Sequence, residues 1–163
     1  MKISDLRSEP DVAREIGFLM MYAANLEILF VSILTELMGG DATLPSIIAI
    51  QVDNITAKID VLFDVAEQKS GDPFADVVFA AKDPVKKAIA FRNKLAHSLY
   101  VSDEATGRFE LLSNLLTNRR GRIKCDALKP EMIEVHREAL REAIDQIIQA
   151  GGDRLWNSLA PPA

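Results

Sequence analysis

Arg92, Asn93 and His97 stand within six positions of one another in the segment Phe91-Arg92-Asn93-Lys94-Leu95-Ala96-His97-Ser98. Their types suit a phosphodiester. Arginine presents a permanent, fork-shaped cation, and histidine can take up or release a proton near neutral pH. His97 is one of only two histidines in the chain. On a helical wheel, Val85, Ala88, Ile89, Phe91, Leu95, Ala96 and Leu99 form one apolar stripe, and Arg92 falls in its middle. Asn93 and His97, four apart, lie one turn above the other at the stripe's edge. An unpaired charge in an apolar setting costs several kcal/mol, so something must face Arg92. Glu27, stranded in another apolar stretch, is the structural candidate. A phosphate in a cleft between subunits is the functional one.

Other chemistry-bearing residues are weaker. His136 sits among charged neighbours and reads as a solvated helix-face residue. Asp60 and Asp64, four apart, read as a wet face rather than a catalytic carboxylate pair. Two distant histidines and one cysteine, Cys125, match no metal-ligand spacing, and no cofactor motif is present. Tyr100 could stack on a base but reads better as a packed strand aromatic. Arg119, Arg120, Arg122 and Lys124 could add phosphate contacts, or could simply keep a loop solvated.

The elements that must position these residues follow from periodicity and breakers. Pro10 suits a first helical position, and Gly39-Gly40 a stop, for a long helix over about 11–38. Nearly every position from Ile16 to Leu34 is apolar, so this helix is expected to meet its own core on one face and a second subunit on the other. A membrane-associated chain using this stretch is a further option. However, Glu27 at the centre of a bilayer would cost about 2.5–3.5 kcal/mol, and no Lys/Arg excess marks one flank. A second helix is expected over about 53–69 and a third over about 74–98, kinked or broken at Asp83-Pro84. Short strands are expected at 99–101, 108–112 and 122–125, or an ordered loop instead. A last helix runs over about 130–149 and stops at Gly151-Gly152. The sum is a single all-α domain over 1–163, an up-and-down bundle of four to five helices with a β-like hairpin or loop insert before the last.

Composition fits a folded, soluble protein: 163 residues, 48% apolar and 26% charged. One cysteine and no evident signal peptide point to the cytoplasm. The net charge of −5 argues against a protein coated for duplex binding. The charge is uneven, though. Residues 1–70 carry 5 basic and 11 acidic groups, whereas residues 82–124 carry 10 basic and 4 acidic. The cationic stretch holds the Arg-Asn-His segment, which suits a short phosphate-bearing ligand.

The string Arg92-Asn93-Lys94-Leu95-Ala96-His97 resembles the Arg-x4-His signature of the HEPN superfamily (higher eukaryotes and prokaryotes nucleotide-binding domains). The polar residue after the arginine and the Ala96-His97-Ser98 step add to the likeness. So does the order of elements: a long apolar helix with Leu26-Glu27, an amphipathic helix, the motif helix, then a closing helix. The resemblance is tight over the motif and loose over the rest. It implies an all-α homodimer with facing motif helices, acting on RNA as a metal-independent endoribonuclease of a toxin–antitoxin or phage-defence system, with an antitoxin protein as a further partner. It equally admits a non-catalytic nucleotide-binding or scaffold module. Under the resemblance Arg92 stabilises phosphate charge, His97 acts as acid or base, and Asn93 orients the pair or touches the phosphate. One histidine per chain is thin for both proton transfers, and a dimer supplies two.

Overall fold

Seven α-helices and a four-stranded antiparallel sheet make up the computed structural model, which describes residues 2–3, 5–103, 106, 108–113 and 124–157. The fold is an all-α bundle with a small sheet set before its last long helix.

Helix α1 (Pro10–Leu37) is the axis of the bundle. Pro10 opens it, where a missing N–H costs nothing. Gly39 and Gly40 close it at φ of 90° and 98°, backbone that a Cβ would strain. By length and composition α1 could cross a bilayer. Here one of its faces is buried, with Leu19, Ile33 and Leu34 fully enclosed. It packs against α2 (Thr43–Gln51), α3 (Ile55–Gln68), α5 (Lys82–Ala96), α6 (Pro130–Gly151) and α7 (Asp153–Asn157). Its ion pairs climb in step with α6. Glu15 meets Arg137 near the start of both helices, and Glu36 meets Arg154 just beyond the end of α6, so α1 and α6 run parallel.

Local capping explains the shorter helices. Asn54 caps α3 by accepting from Thr56 N at 2.8 Å. Asp72 caps α4 (Pro73–Ala80) by accepting from Phe74 N and Ala75 N. The third helical region breaks at Ala81, between α4 and α5, two residues before the expected kink at Asp83-Pro84. Proline at the third position of α5 starts a helix rather than bending one. The short helices α2 and α7 lie outside the elements expected from periodicity, because neither is long enough to establish a repeat.

Strands β2 (Leu99–Ser102), β3 (Phe109–Ser113) and β4 (Lys124–Ala127) form a meander, with Tyr100 opposite Leu111 and Leu111 opposite Asp126. The hairpin reading of this insert therefore holds over the ordered-loop alternative. An N-terminal strand, β1 (Lys2–Ile3), adds to the edge through Ile3 and Val101.

Gly151 is required by close approach. A Cβ there would lie 2.4 and 2.5 Å from Leu155 side-chain atoms and 3.1 Å from the Phe74 ring. Leu155 is fully buried, so it has little room to yield. Gly151→Ala is expected to destabilise the fold by about 1–3 kcal/mol, read as a lower Tm in a thermal melt.

Candidate nucleic-acid site

The last turn of α5 brings the three motif residues to one place. Arg92, Asn93 and His97 line a single groove of about 480 Å³, together with Glu27 from α1 and Asp53, Asn54 and Ile55 at the entry to α3. His97 is the C-cap of α5, its backbone N–H donating to the Asn93 carbonyl, and its side chain is exposed. The helix end that carries it is tied down. Ser98 Oγ donates to the Lys94 carbonyl at 2.5 Å and Tyr100 OH donates to the Leu95 carbonyl at 2.9 Å. Lys94 Nζ reaches Asp126 on β4 at 2.6 Å. Helix carbonyls left over at a C-terminus need such donors. Tyr100 is thus the packed aromatic the sequence favoured. It stacks near Phe109 at 5.8 Å, and burial pushes its phenol pKa up.

Arg92 is held by a short relay. Its Nη1 donates to Asn93 Oδ1 at 3.0 Å, and Asn93 Nδ2 donates to Thr56 Oγ1 at 3.2 Å. Thr56 stands in the first turn of α3, whose N-terminal amides carry partial positive charge. Arg92 Nε is buried and has no acceptor among the described residues. A buried donor without a partner costs about 1–3 kcal/mol, so the guanidinium is oriented by Asn93 yet not saturated.

Glu27 does not pair with Arg92. Its carboxylate is taken by Lys58 Nζ at 2.6 Å. Helix α3 packs on both α1 and α5, and a lysine on it reaches the carboxylate. Among the described residues the buried carboxylate–guanidinium pair is a different one. Glu15, only 6% exposed, meets Arg137 Nε at 2.7 Å. Burial alone would lower the Arg137 pKa, but the Glu15 hydrogen bond and charge, with Glu138 and Glu134, raise it on balance.

His136 departs from its expected solvated face. It is half-buried, stacked on the Phe91 ring with centroids 4.3 Å apart. Desolvation lowers its pKa from the ordinary 6.5. The unfolded chain therefore takes up this proton first as pH falls. The stability it contributes is present above about pH 6.5 and is lost below it. Melts between pH 7 and 5 should show a fall in Tm that His136→Phe, which keeps the stack, reduces.

Asp60 is bound to Lys86 at 2.7 Å, as a surface carboxylate would be. Among the described residues no group of three or more His, Cys, Asp or Glu side chains could hold a metal ion. Arg119, Arg120 and Arg122 lie outside the described residues, as does the side chain of Lys124. Sequence reasoning missed Asp53, which only the fold brings to the groove, and Thr56, which only the fold brings to Asn93. The Asn54 cap was the one local signal that could have flagged that turn. The groove has mixed charge. Arg92 and the α3 N-terminus offer an anion site, while Asp53 and the Lys58-bound Glu27 border it. Compared with known protein families, curated proteins and solved structures, the chain matches none, so the likeness to HEPN domains rests on its own residues alone.

Proposed function

We propose that this chain is a HEPN-like homodimeric endoribonuclease that needs no metal, working in the cytoplasm in a toxin–antitoxin or phage-defence setting, with an antitoxin protein as a further partner. The observation that carries the reading is the placement of Arg92. Its guanidinium is aimed by Asn93, is claimed by no carboxylate among the described residues, and shares one open groove with His97. A phosphate is the ligand such a fork accepts best.

The chemistry is transfer within the RNA strand. A base removes the 2′-OH proton, O2′ bonds to phosphorus, the P–O5′ bond breaks, and an acid protonates the leaving 5′-oxygen. The products are a 2′,3′-cyclic phosphate and a 5′-hydroxyl. His97 takes one of the two proton transfers, and His97 of the partner subunit takes the other. Arg92 stabilises the extra negative charge on the phosphoryl oxygens between the two events. Asn93 is a positioning residue that keeps the fork aimed.

A second reading is a non-catalytic nucleotide-binding or scaffold module. The groove carboxylates, Glu27 and Asp53, favour it, since they weaken attraction for a polyanion. Purified protein incubated with single-stranded RNA in a chelator decides between the two. Fragments ending in cyclic phosphate, absent with Arg92→Ala, support the nuclease. Nucleotide binding that Arg92→Ala abolishes, with no cleavage, supports the module.

A further inference from the structure

Helix α1 has a second apolar face that nothing among the described residues covers. Gly17, Met21, Ala24 and Ile28 are all exposed, Met21 by 46% and Ile28 by 64%. Their spacing of four, three and four is that of a coiled-coil seam, which a helix presents to another helix. Phe18, 41% exposed, and Asn25 flank the seam on one side. The register continues to Val31 and Thr35, which are half-buried and buried, near the end of α1 where α2 follows and packs on it. Some three turns are thus left open, and no charged residue lies in the seam between Gly17 and Ile28.

We infer that a second copy of this chain packs antiparallel on this face, α1 against α1, about a twofold axis between Tyr22 and Ala23. A twofold contact must be self-complementary, and this one is. Gly17 faces the partner's Ile28, and Met21 faces the partner's Ala24, so each layer sets a small residue against a large one. Sliding the partner by seven residues brings either the charged Arg14 or the already covered Thr35 into the seam. The flank supplies an independent fit. Beside Asn25, α1 and α6 leave a mostly apolar groove of about 330 Å³, lined by Tyr22, Asn25, Ile28, Leu29, Ile144, Ile148 and the Arg141-bound Asp145. In the antiparallel register the partner's Phe18 lies on the same flank, at the mouth of that groove. Each protomer therefore offers both the aromatic knob and the slot. This self-match favours a second copy over an unrelated helix or a bilayer.

Sedimentation or light scattering on the full chain tests it. The expected mass is twice 18.0 kDa. Gly17→Leu is the sharpest variant. Nothing lies within 4 Å of a Cβ at Gly17, and leucine favours helix, so the protomer should fold at least as well. In the dimer the leucine collides with the partner's Ile28. Gly17→Leu and Ala24→Arg should each weaken dimerisation by at least about tenfold with an unchanged circular dichroism spectrum. In a Cys125→Ser background, Met21→Cys with Ala24→Cys should cross-link the dimer on oxidation. A wild-type chain monomeric at about 0.1 mM overturns the pairing, because a dimer that weak would bind with less than about 6 kcal/mol. A dimer indifferent to both variants and not cross-linked overturns it too, as does a protein recovered only in detergent and bound to neutral phosphatidylcholine vesicles. RNA cleavage is scored separately. A monomer whose cleavage still depends on Arg92 sinks the pairing and the partner's share of the proton transfers but spares the Arg92 groove, and a dimer without cleavage sinks the nuclease and spares the pairing.

Discussion

Arg137→Ala should melt about 6–12 °C below the wild type. The substitution strands Glu15, a carboxylate 6% exposed, after its 2.7 Å partner is gone. Breaking one side of a buried ion pair costs about 3–5 kcal/mol, because the remaining charge keeps its desolvation penalty. Arg14 Nε lies 3.5 Å from the other Glu15 oxygen and compensates in part, which places the loss near about 3 kcal/mol. A domain of this size shifts by about 2–4 °C per kcal/mol. The substitution also removes the guanidinium over the Phe18 ring, 5.7 Å from its centroid. The double variant Glu15→Leu/Arg137→Leu should recover most of the loss, since an apolar pair of similar volume leaves no stranded charge. Equal melts for the single and double variants would show that the pair is not what stabilises this contact.

Arg92 should behave in the opposite way. Arg92→Leu removes a buried Nε without an acceptor and strands no carboxylate, so the melting temperature should hold or rise. The large effect should appear in RNA turnover. Losing a charge-stabilising donor costs about 100- to 1,000-fold in rate, and losing a positioned acid or base about 100- to 10,000-fold. Arg92→Ala and His97→Ala are each expected to fall in those ranges while remaining folded. Arg92→Lys should recover little, because a point charge cannot keep both the Asn93 contact and a two-pronged grip on phosphate. Asn93→Ala should lose less than Arg92→Ala, since it acts by aiming the fork. Cleavage indifferent to Arg92→Ala would remove the assignment of this groove as the reaction site.

The contrast between the two arginines shows where one-dimensional reasoning ends. Both sit beside apolar residues on amphipathic helices, and the spacing pointed to Arg92 as the charge in need of a carboxylate. Folding gave the buried carboxylate to Arg137, 122 residues from Glu15. Glu27 went to Lys58, 31 residues away. Nothing in local spacing ranks such partners. The choice depends on which helices lie side by side, in which direction and at what rotation.

His136 repeats the lesson. Of its charged sequence neighbours Glu134 is exposed, whereas Arg137 turns to the buried Glu15 and the His136 ring turns onto Phe91 of α5. Helical periodicity marks a face with an error of about one residue position, some 100°, and that is enough to move a side chain from solvent to contact.

By itself the sequence determined the long helices, their proline starts and glycine stops, the place of the insert before the last helix, and the closeness of Arg92, Asn93 and His97. These depend on interactions within a few residues: proline and glycine backbone preferences and the 3.6-residue repeat. Only the tertiary structure decided what those residues face. The Asn93–Thr56 link spans 37 positions, and the bare seam on α1 is visible only once the opposite face is seen to be filled. Burial and pairing across helices are properties of how surfaces meet, and that meeting is settled by the packing of the whole core rather than by any one stretch of chain.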